Sequence, residues 1–223
     1  MNFRHEWKHE ISPSDLIVLR QRLRAVAKPD THSEEGRYDI RSLYFDSWND
    51  RALREKIDGV NIREKFRIRY YNGDLSFIRL EKKSKRGGAG CKQSARLEAG
   101  EVQAVLDGNY HWMPGCGNPL TAELYRKIVG QGLRPRTIVD YTREPFVFAP
   151  GNVRVTLDYN IRTGLRCLDF LNPACVTVPV PGSPIVLEVK WDAFLPAVIR
   201  DAVQLEGRRT AAFSKYAVCR IFD

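Results

Sequence analysis

The 223-residue sequence predicts an α+β protein, an antiparallel sheet with helices outside it, and three observations carry that expectation. Five segments alternate apolar and polar residues with period two, the mark of strands half buried on one face. A segment near the N-terminus carries a complete helix-start signature ahead of apolar residues at helical spacing. Lys and Arg dominate the polar side of several strands, in keeping with 36 Lys+Arg against 27 Asp+Glu and a formal net charge of +9.

Along the chain, Phe3, Trp7 and Ile11 oppose Arg4, Glu6, Lys8 and Glu10 in the first strand. Ser12, Pro13 and Asp15 then read as N-cap, first helical residue and capping partner, with Leu16, Leu19, Leu23 and Val26 on one helical face. Ile62, Glu64, Phe66, Ile68 and Tyr70 alternate with Arg63, Lys65, Arg67 and Arg69. In the next strand Ile78 and Leu80 point away from Phe77, Arg79, Glu81, Lys83 and Lys85. The stretch Ser84 to Gly90, SKRGGAG, reads as a mobile basic loop. Asn118 and Pro119 open a second helix carrying Leu120, Leu124 and Ile128. Val153, Val155, Leu157, Tyr159 and Ile161 alternate with Arg154, Thr156, Asp158, Asn160 and Arg162, and Ile185, Leu187, Val189 and Trp191 oppose Glu188 and Lys190. Leu195 to Leu205 and Ser214 to Ile221 read as shorter helices.

Two architectures satisfy this pattern. An open antiparallel sheet puts its polar face in water; a closed one turns the same face into a polar lumen. Like charges two residues apart on one strand, with more on its neighbours, repel unless something anionic sits among them, which favours an anion-binding face.

Composition excludes several classes. No apolar run approaches the ~20 residues that span a bilayer. Five cysteines, an odd number without a C-x-x-C pair, argue against a disulfide framework and a zinc ribbon and point to a reducing compartment. A soluble, cytoplasmic protein with one domain over residues 1–223 is the expectation. Neither a G-x-x-x-x-G-K-[ST] nor a G-x-G-x-x-G sequence occurs, so phosphates must be held by side chains. His5-Glu6-Trp7-Lys8-His9 matches the H-E-x-x-H zinc pattern. Its alternation is that of a strand, however, which sets the imidazoles ~13 Å apart.

The segments RHEWKHEI, REKFRIRYY, FIRLEKKSK, DYTREPF, VRVTLDYNIR, VLEVKW and FSKY, in this order from Arg4 to Lys215, resemble the strand motifs of the vacuolar transporter chaperone polyphosphate polymerase domain, a branch of the triphosphate tunnel enzymes. The resemblance implies a closed antiparallel β-barrel of about eight strands with flanking helices, its lumen binding a phosphate chain. It places Lys8, Arg67, Arg69, Lys83, Lys92, Arg143, Arg154 and Lys215 on the phosphates, with Arg67, Arg69, Lys83 and Lys215 nearest the chemistry and Arg96 an alternative to Lys92. It puts Glu188 on a divalent metal, Mn²⁺ or Mg²⁺, with Glu6 and Glu81 as further ligands or as salt-bridge partners that space the cations. Where the family usually has an aromatic after the first lysine, this chain has His9. Phe146, Trp191 and Tyr216 read as packing residues.

The activity implied is ATP-dependent polyphosphate synthesis. Hydrolysis of tripolyphosphate or a nucleoside triphosphate is the neighbouring alternative, and non-catalytic sensing of polyphosphate or inositol phosphates a further one. ATP, polyphosphate and tripolyphosphate are the implied partners, with a separate membrane protein as a possible acceptor of product. Nucleic acid is not expected, because the basic strands lack the interleaved exposed aromatics that stack bases.

Overall fold

Helix N-termini form where the sequence supplies caps, and the strands lie where it alternates. The computed structural model describes residues 4–31, 33–87, 89–207 and 212–221. In chain order the elements are β1 (His5–Ile11), α1 (Pro13–Val26), β2 (Lys28–Pro29), β3 (Tyr38–Asp46), α2 (Arg51–Ile57), β4 (Arg63–Tyr71), β5 (Asp74–Arg86), β6 (Ala89–Leu97), α3 (Ala99–Leu106), α4 (Pro119–Gln131), β7 (Arg134–Phe148), β8 (Val153–Thr163), β9 (Val178–Pro179), β10 (Ile185–Trp191), α5 (Ala197–Ala202) and α6 (Lys215–Val218). This is the α+β class with antiparallel strand pairs that alternation predicted.

The chain divides into two compact units. The first comprises Met1–Asp39, Tyr141–Ile161 and Pro179–Ser214. Its strand order is β1-β10-β8-β7, with β2 also against β7 and β1 at the edge. The apolar sides of the strands, including Val155, Leu157, Leu187 and Val189, pack on Leu16, Leu19 and Leu23 of α1 and Ile199 of α5. Helix α1 starts as its sequence dictates, with Ser12 and Asp15 exchanging side chain to backbone hydrogen bonds at 3.1 and 2.9 Å. The His5–His9 segment is strand, and His5 stacks on Trp191 with ring centroids 5.4 Å apart, so the helical geometry that a zinc pair needs is not met.

The second unit comprises Ile40–Asp140, Arg162–Val178 and Lys215–Asp223. Its order is β7-β3-β4-β5-β6, with β6 at the edge. Phe66, Ile68, Tyr70, Ile78 and Leu80 form its core with Val102 and Val105 of α3 and Leu120, Leu124 and Ile128 of α4. Asn118 caps α4 by accepting from Leu120 N at 3.0 Å, as predicted.

Two expectations need correction. Of the stretch Ser84 to Gly90, Gly88 lies outside the described residues and the rest is not a loose loop: β5 and β6 stay paired out to Arg86 opposite Ala89, because Lys83 and Lys85 continue the alternation and Gly87, at φ +57°, adopts the left-handed conformation that ends β5. Helices α2 and α3 were not anticipated. Helix α2 buries no residue and so lacks an apolar stripe, and α3 is capped by Glu98, an unusual N-cap, through a box with Glu101.

Candidate functional site

In the second unit, Lys65 stands opposite Lys83, Arg67 opposite Glu81 and Arg69 opposite Arg79. β6 extends this face with Lys92 opposite Lys83 and Ser94 opposite Glu81. Directly opposed residues share a face, so the cations of single strands become a two-dimensional field. Glu81, 2% exposed, lies at its centre. Arg67 donates from Nε to Glu81 Oε2 at 2.7 Å with Nη2 equally close, Arg69 Nη1 stands 4.0 Å from the same oxygen, and Lys92 pairs with Oε1. Burial favours the neutral acid, but Arg67, Arg69 and Lys92 outweigh it and hold the Glu81 carboxyl far below the usual carboxylate range.

β3 completes this cluster by pairing Ser42 with Arg69 and Tyr44 with Arg67. Arg67 Nη1 donates to Tyr44 Oη and Arg69 Nε to Ser42 Oγ, both at 2.9 Å. Lys65 Nζ lies 5.5 Å from the Tyr44 ring centroid. Burial pushes the Tyr44 phenol up, yet Arg67, Lys65 and Arg69 together bring it down to about 7. Beside Lys65, a cavity of about 360 Å³ opens among Phe45, Ile62, Arg63, Phe66, Lys85 and Arg86.

Lys215 opens α6 in this same unit. Its neighbour Tyr216 stacks on Tyr44 at 5.1 Å between centroids and donates to Asp46 Oδ2 at 2.6 Å. Arg96, the alternative to Lys92, pairs instead with Glu98 at 3.3 Å and with Ser76 O.

The first unit holds a cluster of different composition. Lys8 lies opposite Glu188 and Glu6 opposite Lys190, while β8 places Thr156 opposite Glu188 and Arg154 opposite Lys190. Lys8 Nζ is 2.6 Å from Glu6 Oε1 and 3.2 Å from Glu188 Oε2; Lys190 pairs with Glu188 and stands 3.8 Å from Glu6 Oε2. Arg143 grips the fully buried Asp158 with both ends of its fork, at 2.6 and 2.7 Å. Arg154 Nη2 donates to Asp30 Oδ2 at 3.0 Å and Tyr38 Oη at 2.6 Å.

Burial works against the charges of Lys8, Lys190 and Arg143, and their partners decide the outcome. Glu188 and Glu6 overcome it at Lys8, whose pKa rises. At Lys190 burial and the nearby Arg143 prevail over the same two carboxylates, and the pKa falls. At the largely buried Arg143, Asp158 outweighs the cost of burial and holds the guanidinium charged. Thr156 Oγ1 is buried without a hydrogen-bond partner among the described residues.

The sequence-predicted residues therefore fall into two groups: Arg67, Arg69, Glu81, Lys83 and Lys92 on one face, and Glu6, Lys8, Arg143, Arg154 and Glu188 on the other unit's strands. Phe146, Trp191 and Tyr216 are buried packing residues. Sequence reasoning did not assign Ser42, Tyr44, Asp46, Lys65, Thr156, Asp158 or Lys190 to the site. Lys65, Thr156, Asp158 and Lys190 were legible, since each alternates in phase with an assigned residue. Ser42, Tyr44 and Asp46 were not, because β3 is buried on both faces over most of its length.

A family model described as the VTC domain matches residues 3–221. The chain matches no curated protein. Among solved structures it resembles the PH1012 protein from Pyrococcus horikoshii, with a TM-score of 0.53 at 10% identity over 98% of this chain and 99% of that one. It also resembles a "putative adenylate cyclase" from Bacillus halodurans, with a TM-score of 0.52 at 12% identity over 85% of this chain and 80% of that one. At such identities the likeness is one of fold. No helix among the described residues is long and apolar enough to cross a membrane.

Proposed function

The chain belongs to the VTC domain family, and from that membership and its two charged clusters we propose that it transfers the γ-phosphoryl group of ATP to the end of a polyphosphate chain and releases ADP. The observation that carries the proposal is the face that Lys65, Arg67, Arg69, Lys83 and Lys92 share around the buried carboxylate of Glu81. On these paired positions cations outnumber carboxylates, and such a face gains from an anion whose charges repeat.

Phosphoryl transfer asks little covalent help of a protein. A P–O bond forms from the terminal oxygen of the acceptor chain to the γ-phosphorus as the bond to the β-bridging oxygen breaks, and the work lies in alignment and charge neutralisation. Arg67, Arg69, Lys83 and Lys92 hold the chain's oxygens by charge-assisted hydrogen bonds, and Lys8, Arg143, Arg154 and Lys215 are further phosphate partners.

The donor set in the first unit fits a hard divalent ion. Glu188 and Glu6 are carboxylates on one face, and Thr156 adds a buried hydroxyl that has no hydrogen-bond partner among the described residues. One or two carboxylates with phosphate and water oxygens are what Mg²⁺ or Mn²⁺ takes. When bound, such an ion neutralises charge on the transferring phosphates. Lys8 and Lys190 occupy the Glu188 oxygens, so a divalent ion held by Glu188 and Glu6 would take the place of these ammonium groups. Glu81 is wrapped by three cations and serves in this reading as the spacer that keeps them apart rather than as a metal ligand.

Incubation of the protein with ATP and Mn²⁺, followed by separation of polymer from free phosphate, tests the proposal. Polyphosphate with stoichiometric ADP is the expected product. Free phosphate alone would show a hydrolase, and nucleotide binding without turnover a sensor.

A further inference from the structure

We propose that Cys167 and Cys175 form a thiol pair that closes reversibly to an intramolecular disulfide, a redox modification site in the segment between β8 and β9. Their Sγ atoms lie 3.3 Å apart, Cys167 exposed and Cys175 half-buried, so the pair is both preassembled and open to small oxidants.

The surrounding contacts hold both thiols in place. At the start of the segment Gly164 N donates to Ile138 O and Cys167 N to Gly164 O, each at 2.9 Å. A Cβ on Gly164 would stand 2.9 Å from Ile138 Cβ, so glycine is what permits this close turn. At the far end Arg41, forked onto Asp140 at 2.9 Å, donates to Asn172 O and, at 3.3 Å, to Cys175 O. Between them Phe170 is buried, with Tyr70 Oη donating to its carbonyl at 3.0 Å and the two rings 5.0 Å apart. The conformational cost of bringing two thiols together is thus already met by the fold.

The oxidant is a low-molecular-weight disulfide such as oxidised glutathione. The Cys167 thiolate attacks one of its sulfurs and expels a glutathione thiol; Cys175 then loses its proton and attacks Cys167, expelling the second. Two protein thiols are oxidised and one disulfide is reduced. This order follows from burial and the Cys167 neighbour, which push the Cys175 thiol up to about 11 and keep it protonated until the mixed disulfide forms. The link would staple the segment that seats Phe170 on Tyr70, the residue that follows Arg69 in the cation-bearing strand.

The test equilibrates reduced protein in glutathione buffers of stepped ratio, quenches with an alkylating agent and maps peptides without reduction. The expected result is a Cys167–Cys175 linked peptide that dithiothreitol reverses, with Cys91, Cys116 and Cys219 still alkylated. The oxidised protein should melt about 5 °C higher. In Cys167→Ser or Cys175→Ser the remaining cysteine should stop at the mixed disulfide, without that rise. The proposal is overturned if both cysteines remain singly alkylated or singly glutathionylated across the whole range, or if either pairs with a different cysteine.

Discussion

The two charged clusters share one strand grammar and differ in their balance. In the first unit Lys8, Lys190, Arg143 and Arg154 meet the carboxylates Glu6, Glu188, Asp158 and Asp30, cation for anion. In the second unit Lys65, Arg67, Arg69, Lys83 and Lys92 share a face on which Glu81 is the one carboxylate among these paired positions. An entering anion must break pairs in the first cluster, whereas it relieves repulsion in the second. In the proposed reading, the cation-rich face is the one that attracts a phosphate chain, and the balanced network is the one whose carboxylates exchange an ammonium for a metal ion.

The largest expected effect separates these roles. Glu188→Gln keeps the shape and removes the charge, so metal-dependent turnover of ATP should fall by about 10²-fold or more while tripolyphosphate binding changes little. Calorimetric titration beside turnover against added Mn²⁺ measures both. Normal turnover of the variant at every metal concentration would transfer the ligand role to Glu6.

A pair of arginine variants probes the balance itself. Arg143→Ala removes the bidentate partner of the fully buried Asp158, which should cost about 3–5 kcal/mol of unfolding free energy. Arg67→Ala leaves Glu81 with Arg69 and Lys92, so stability should fall less. Tripolyphosphate affinity should instead drop by about 1.5–3 kcal/mol, the worth of a charge-assisted hydrogen bond. Equal destabilisation by the two variants in denaturant would erase the contrast between the clusters.

Ligand valence gives a smaller signal. Tripolyphosphate should raise Tm well beyond the rise from equimolar monophosphate, since binding to the folded state alone shifts unfolding by mass action. The gap should narrow as salt screens the field. Equal shifts from the two ligands would count against a multi-cation site.

The smallest effect is a titration. Tyr44, with its folded pKa near 7 and an unfolded value near 10, is a group whose charged form the fold favours. Its contribution to stability is therefore absent below about pH 7, grows as pH rises, and is complete above the unfolded value. A tyrosinate absorbance appearing near neutral pH, missing in Tyr44→Phe and pushed to higher pH by tripolyphosphate, is the expected outcome.

Much of this was legible in the sequence, and the limits have physical causes. Strict alternation placed Arg67 with Arg69, Glu81 with Lys83 and Glu188 with Lys190, because a strand has only two faces. Caps fixed the starts of α1 and α4 to the residue. Alternation is silent about which strands become neighbours, so the opposition of Arg67 to Glu81, or of Lys8 to Glu188, awaited the fold. It is silent too where both faces are buried, which hid Tyr44. Asp158 was in phase yet unassigned, because one strand does not reveal that its carboxylate will lie under Arg143.

Asp46 shows how far a role can sit from the residue that performs it. Its carboxylate accepts from Ser47 N and Ala52 N at 2.8 Å, from Leu53 N at 3.1 Å and from the Tyr216 hydroxyl. Helix α6 is four residues long, too short to persist alone, so the presentation of Lys215 depends on contacts from outside the helix, that last bond among them, made by a residue 170 positions away. A change at Asp46 would leave every cation in the sequence and still blunt one of them, by returning Lys215 to a larger set of conformations that a ligand would then have to select from.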